Sequence, residues 1–217
     1  LLDAEAGYLT AIKQFAEERC VRHDPAHDML HVTRVVHNAR LILGDEPDAS
    51  RFVTEVACLL HDIVQLPKGT GAPGESARQS AAVAMQFLVA LGIDDFSIRA
   101  IAHAIEAHSF SGGLPPASIE AAIVQDADRL DALGAIGIAR LWVTAGTMDS
   151  LLYSEDDPAG EERELDDRAY GLDHIERKLL RLPDLMNTEA GRRIANTRAG
   201  YVAQFRRRFL EEIAGNA

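Results

Sequence analysis

Cysteine is nearly absent. Cys20 and Cys58 are the only two in 217 residues. Neither sits in a Cys-x-x-Cys pair, which excludes a thiolate metal site and a dithiol redox motif. Both read as small buried hydrophobes in a protein of a reducing cytoplasm. The sequence also lacks any run of 18 or more apolar residues, so no segment is expected to cross a membrane as a helix. The opening LLDAEAGYLT has neither a basic start nor an apolar signal core, so export is not expected. With no initiator Met, Leu1 is not expected to be the encoded start. Positive charge is scarce too: 22 Lys and Arg face 34 Asp and Glu, a formal net charge of -12. That balance argues against polymeric nucleic acid and anionic lipid as partners. A small anionic substrate remains compatible if a metal and a few cations are focused in one cleft. Part of the acidic excess is local. Ser154–Asp167 (SEDDPAGEERELDD) holds eight carboxylates and one basic residue, and it reads as a solvated, mobile loop.

Repeats, low-complexity tracts and convincing two-residue alternation are absent as well. What is present is apolar residues at helical spacing, and a hydrophobic content of 47%, enough to bury a sizeable core. Leu9, Ile12 and Phe15/Ala16 mark a first helix, Val32 to Leu43 a second, and Phe52 to Leu60 a third that runs into His61-Asp62. Ala77 to Leu88 give a fourth, closed by Gly92, and Ile98 to Ile105 a fifth. Ser118 caps a helix that continues towards Asp128, with Leu133, Ile136 and Leu141 following. Ile175, Leu179 and Leu182 form a later helix closed by Pro183. The last is long, with Ile194, Tyr201, Phe205 and Phe209 on one face. The economical reading is an all-α, single-domain helical bundle over residues 1–217. It includes the acidic loop at about 154–167 and has its C-terminal helices packed on the core. Leu66–Gly74 reads as a loop, and its GTGAPG lacks the Gly-Lys-Ser/Thr ending of a phosphate loop.

The chemistry-bearing residues are unevenly placed. His23, His27, His31 and His37 cluster early, His61-Asp62 ends an apolar helix, and His103, His108 and His174 come later. Adjacent side chains on a regular helix diverge by about 100°, so His61 and Asp62 can reach one ion only at a helix end or distorted turn. In QDADRLD, Asp126, Asp128 and Asp131 lie in an otherwise apolar stretch. Carboxylates buried there need cations or a metal, although caps and surface acids give the same pattern. His103 and His108 are five residues apart, about 140° on a helix, so they are not expected to share one ion.

In this order, HVTRV (His31 to Val35), LLHD (Leu59 to Asp62) and QDADRLDALGAIGIAR (Gln125 to Arg140) resemble the H…HD…D signature of the HD-domain phosphohydrolases. The likeness is closest to the superfamily's small bacterial branch. AHDMLH, the Pro-Lys after HD, HAIEAHSFSG and DHIERKLLRL extend it over roughly His23 to Phe205. The resemblance implies His31, His61, Asp62 and Asp128 as ligands of a divalent ion. Such a mixed N/O site suits Mn, Mg, Fe, Co, Ni or Zn. Asp62 and His108 are the catalytic candidates, His108 because it stands at a helix end. Lys68, on a loop six residues after Asp62, and then Arg129 are the candidates to hold phosphate. Arg129 has a pairing with Asp126 or Asp131 as its alternative. His27, one turn before His31, and His103 are further candidates for substrate contact. Gln65 stands where some nucleotidase relatives carry a nearby Glu, which leaves the general base unassigned.

The resemblance implies hydrolysis of a phosphoanhydride or phosphoester, most often in a nucleotide. Pyrophosphate release from a nucleoside triphosphate is favoured, with monophosphatase and cyclic phosphodiesterase chemistry as alternatives. A catalytically silent nucleotide-sensing module and a di-iron HD oxygenase are rivals of other classes. A homodimer stays open.

Overall fold

Helical spacing in the sequence becomes helices along the chain. The computed structural model describes residues 2–20, 28–66, 71–109 and 112–216. Among them are nine α-helices, a 3₁₀ segment and no strand, with one isolated parallel bridge between Leu151 and Tyr170. No helix among the described residues is long and apolar enough to cross a membrane. The chain divides into two compact units, Leu1–Asp128 and Arg129–Ala217.

The first unit holds α1 (Leu2–Arg19), α2 (Met29–Leu43), α3 (Arg51–Leu60), α4 (Glu75–Ala90), α5 (Asp95–His108) and all but the end of α6 (Ile119–Asp131). Its pivot is α3, in which every residue from Val53 to Leu60 is buried. A helix covered on all sides belongs in the interior of a core, and α3 packs against α1, α2, α4 and α5. Ile12, Ile42, Leu60, Leu88, Ile101, Ile105 and Ile123 are fully buried, each contributing about 1.5–3 kcal/mol relative to exposure. Side-chain caps fix where helices begin: Asp28 accepts the His31 N–H at 2.9 Å, Ser50 that of Val53 at 3.3 Å and Asp94 that of Ser97 at 2.9 Å. Ser118 accepts the Ala121 N–H at 3.2 Å, the start signal expected from the sequence. Gly92, at φ +77°, closes α4 as expected; only glycine adopts that conformation without strain. Cys58 is buried as expected, but Cys20 is only half-buried. Burial, Asp62 and Asp28 push its thiol up to about 11.

The second unit holds α7 (Gly134–Thr147), α8 (Gly171–Arg177), a 3₁₀ helix (Leu179–Leu185) and α9 (Glu189–Ile213). Trp142 stacks on Phe209, and Gly171 lies so close to Trp142 that a Cβ there would fall 2.4 Å from the indole. One expectation is corrected here. Pro183 does not close a single helix through Ile175, Leu179 and Leu182. The helix breaks at Lys178, and a 3₁₀ helix then runs through Pro183. Proline cannot sit inside an α-helix, while a three-residue repeat stacks Leu179 over Leu182, and both are buried. The acidic stretch is a loop, as expected, with Glu155, Asp156, Glu161, Glu162, Glu164 and Asp166 exposed, and it carries bonds of its own. Asp157 accepts the N–H groups of Gly160, Glu161 and Glu162, and these bonds hold its carboxyl below the usual carboxylate range. Arg163 grips Asp173 with two bonds of 2.6 and 2.7 Å and lies over the Tyr170 ring.

Candidate metal centre

Three helix ends and the start of a fourth helix deliver the donors. His31 stands in the first turn of α2, whose N-terminus Asp28 pins by accepting the His31 N–H. His61 caps α3, and Asp62 follows where the helix gives way to a turn, the helix end that the sequence geometry required. His108 is the last residue of α5, and Asp128 lies in the last turn of α6.

His31 Nε2 lies 3.2 Å from His61 Nε2, 3.4 Å from Asp128 Oδ1 and 3.9 Å from Asp62 Oδ2. His61 Nε2 lies 3.6 Å from Asp62 Oδ2, and His108 Nε2 lies 3.7 Å from Asp62 Oδ1. Two overlapping donor groups result, His31/His61/Asp128 and His61/Asp62/His108. Donors about 2.1 Å from one ion stand about 3.0–3.4 Å apart at octahedral or tetrahedral angles, so the closest separations match a shared ion.

Hydrogen bonding prepares the nitrogens. His61 Nδ1 donates to the Cys58 carbonyl at 2.8 Å, and His108 Nδ1 donates to the Ile105 carbonyl at 2.5 Å. In a neutral imidazole that assignment leaves a lone pair on Nε2, directed at the carboxylates. His31 and His61 are fully buried. Burial, and then the neighbouring His61, hold His108 below the ordinary imidazole range against the pull of Asp62 and Asp128. Burial works to raise Asp128, but the three imidazoles hold it below the ordinary carboxylate value. Imidazole nitrogens and carboxylate oxygens brought together in this way are the donor types of a divalent ion of intermediate hardness, so the residues fit one.

The four sequence-derived ligands and His108 are therefore brought together. His103 is not among them: its Nε2 accepts the Ala117 N–H at 2.9 Å. Arg129 directs a guanidinium N–H to the Leu185 carbonyl, and Asp131 is paired with Arg140 at 2.8 Å. Asp126 and Asp131 are buried, so they are not surface acids. His27 and Lys68 lie outside the described residues. Three polar side chains beside the site were missed from the sequence. Asn38 donates to the Ala127 carbonyl at 3.0 Å and Gln125 to the Ala107 carbonyl at 2.6 Å, while Ser80 accepts the Val64 N–H at 3.0 Å. Their signal was a polar residue on an apolar face, and all three are buried.

The HD domain family model matches residues 29–133, a span that contains every donor named above. YpgQ of Bacillus subtilis strain 168 is 36% identical over 210 residues, covering 94% of this chain and 93% of YpgQ. The crystal structure of B. subtilis YpgQ in complex with ADP superposes with a TM-score of 0.73 at 33% identity, covering 96% of each chain. An HD-superfamily hydrolase from Bacillus thuringiensis gives a TM-score of 0.72 at 31% identity over 98% of each chain. Similar to these proteins along nearly its whole length, and with its candidate donors converging at helix ends, the chain belongs to the HD-domain phosphohydrolase superfamily.

Proposed function

We propose that this metal-dependent hydrolase cleaves a nucleotide phosphoanhydride, releasing pyrophosphate from a nucleoside triphosphate. His31, His61, Asp62 and Asp128 hold the divalent ion and His108 completes the donor field. The observation that carries this reading is the convergence of those five side chains, with the lone pairs of His61 and His108 turned inward by their own helix carbonyls. The ADP complex of YpgQ supports a nucleotide as ligand. A bound divalent ion would activate water and polarise phosphoryl oxygens.

The protein's own residues supply the remainder. Asp62, 3.6 Å from His61 and 3.7 Å from His108, orients the imidazoles on either side of it and accepts a proton within that network. His108, its Nδ1–H held by the Ile105 carbonyl, presents Nε2 towards Asp62 and so completes the donor field. Lys68 and Arg129 are assigned to the phosphate chain, because a polyphosphate on a protein of net charge -12 requires a concentrated cationic site. A monophosphate engages fewer of these groups, which favours the triphosphate.

Product analysis in ¹⁸O-labelled water, with nucleotides screened against several divalent ions, tests the proposal. Attack at the α phosphorus places ¹⁸O in the nucleoside monophosphate alongside unlabelled pyrophosphate. Activity confined to monophosphates, or release of inorganic phosphate alone, would reject the bond assigned here while leaving the metal site intact.

A further inference from the structure

We infer that Gln125 is a positioning residue that sets His108 within the donor field by capping the end of α5. The inference rests on the reading of His108 as a metal donor. α5 ends at His108, so its last carbonyls have no partner further along the helix. Two of them are satisfied from the side. His108 Nδ1 takes the Ile105 carbonyl, and the Gln125 amide, 5% exposed, donates to the Ala107 carbonyl at 2.6 Å. The second bond holds the peptide that carries His108. Without it, the last turn of α5 has a buried carbonyl with one fewer donor, and the imidazole loses a fixed base.

Gln125 also stands one turn before Asp128 on α6, and residues three apart share a helix face. One side chain thus ties the helix bearing Asp128 to the helix end bearing His108. The other end of α6's donor turn is tied to α2, where Asn38, two turns after His31, donates to the Ala127 carbonyl. Gln125 carries a bond from α6 to α5, and it reaches the peptide adjoining the donor. Its role is therefore more specific than general core satisfaction, which would not select that carbonyl.

The test is a double-mutant cycle read by calorimetric titration with Mn²⁺ alone, on the full chain. His108→Ala weakens Mn²⁺ binding at least about tenfold, and Gln125→Met, similar in size but without the donor, weakens it about three- to tenfold. The double variant binds as His108→Ala does, because Gln125 acts through His108. Additive losses overturn the inference. So does a Gln125→Met protein with a lower thermal midpoint and unchanged Mn²⁺ affinity, the result of a purely structural cap. If Gln125→Met does not fold, Gln125→Leu is read in the same cycle. Should His108→Ala leave Mn²⁺ affinity unchanged, His108 is no donor and the reading beneath the inference falls with it. A weakened His108→Ala beside an unaffected Gln125→Met removes the inference alone.

Discussion

His61 and His108 meet one steric requirement in the same way. Each directs Nδ1 to the carbonyl three residues back, Cys58 in one case and Ile105 in the other, and so aims Nε2 away from its helix. Those carbonyls are available only in a last turn, because further in they accept helix N–H groups. His103, inside α5, has no such carbonyl to use, and its ring turns to the Ala117 N–H instead. The 140° separation expected from a five-residue spacing thus decides which histidine joins the donors. At this scale the convergence of His31, His61, Asp62 and Asp128 was legible because these residue types stand in order at helix ends. Gln125 was not, because a lone amide in an apolar stretch carries no signature of which carbonyl it will meet. Lys68 is the residue on which substrate affinity is expected to turn. Lys68→Ala should lower kcat/KM about 10–100-fold, equivalent to about 1.4–2.7 kcal/mol, with metal content unchanged. Steady-state kinetics beside metal analysis checks this, and parental kinetics on every active substrate would return Lys68 to the solvated surface.

Between elements, a buried carboxylate ties α3 to α2. Glu55, 4% exposed at its side chain, accepts from Arg40 of α2 at 2.7 Å and from Arg51 of its own helix at 2.7 Å. Burial works to raise the Glu55 carboxyl, but bonds from Arg40 and Arg51 prevail and hold it below the usual carboxylate range. Its ionised form therefore stabilises the folded state above the unfolded pKa, and that contribution is lost as pH falls through the folded one. Glu55→Gln should cost about 1.5–3 kcal/mol at pH 7, the range for hydrogen bonds to charged groups. The gap from the parent should narrow in acid. Urea denaturation of both proteins between pH 7 and pH 3 checks the sign, and a gap that stays constant would remove the charge from the explanation. Helix positions on this scale were readable from apolar spacing, and Ser118 and Gly92 from their capping chemistry. The 3₁₀ helix was not, nor was the turn in which Asp157 accepts the N–H groups of Gly160, Glu161 and Glu162. Leu179 and Leu182 fit a three-residue repeat as well as a helical one, so only the buried Pro183 separates the two.

On the scale of the molecule, the candidate donors and the longest acidic run lie in different parts of the chain. All five candidate donors lie in the unit Leu1–Asp128, whereas the run of eight carboxylates at Ser154–Asp167 lies in the unit Arg129–Ala217. Divalent ions are drawn to both, but only the first offers converging imidazole nitrogens. A ligand that binds the folded state alone stabilises it by about 2.7 kcal/mol at a hundred times its dissociation constant. For a protein of this size each kcal/mol moves the midpoint by about 2–4 °C. Saturating Mn²⁺ should therefore raise the thermal midpoint by about 5–10 °C, and a chelator should reverse the shift. Calorimetric scans of the parent and of Asp62→Ala locate its origin. Asp62 lies 3.6 Å from His61, which both donor groups share, and 3.7 Å from His108, so Asp62→Ala should lose metal retention, the thermal shift and turnover together. Where the units melt separately, the transition of the first should move and that of the second should not. A Mn²⁺ shift undiminished in Asp62→Ala would assign the binding to the acidic stretch, and full turnover by a metal-depleted Asp62→Ala protein would leave the proposed hydrolysis without its ion.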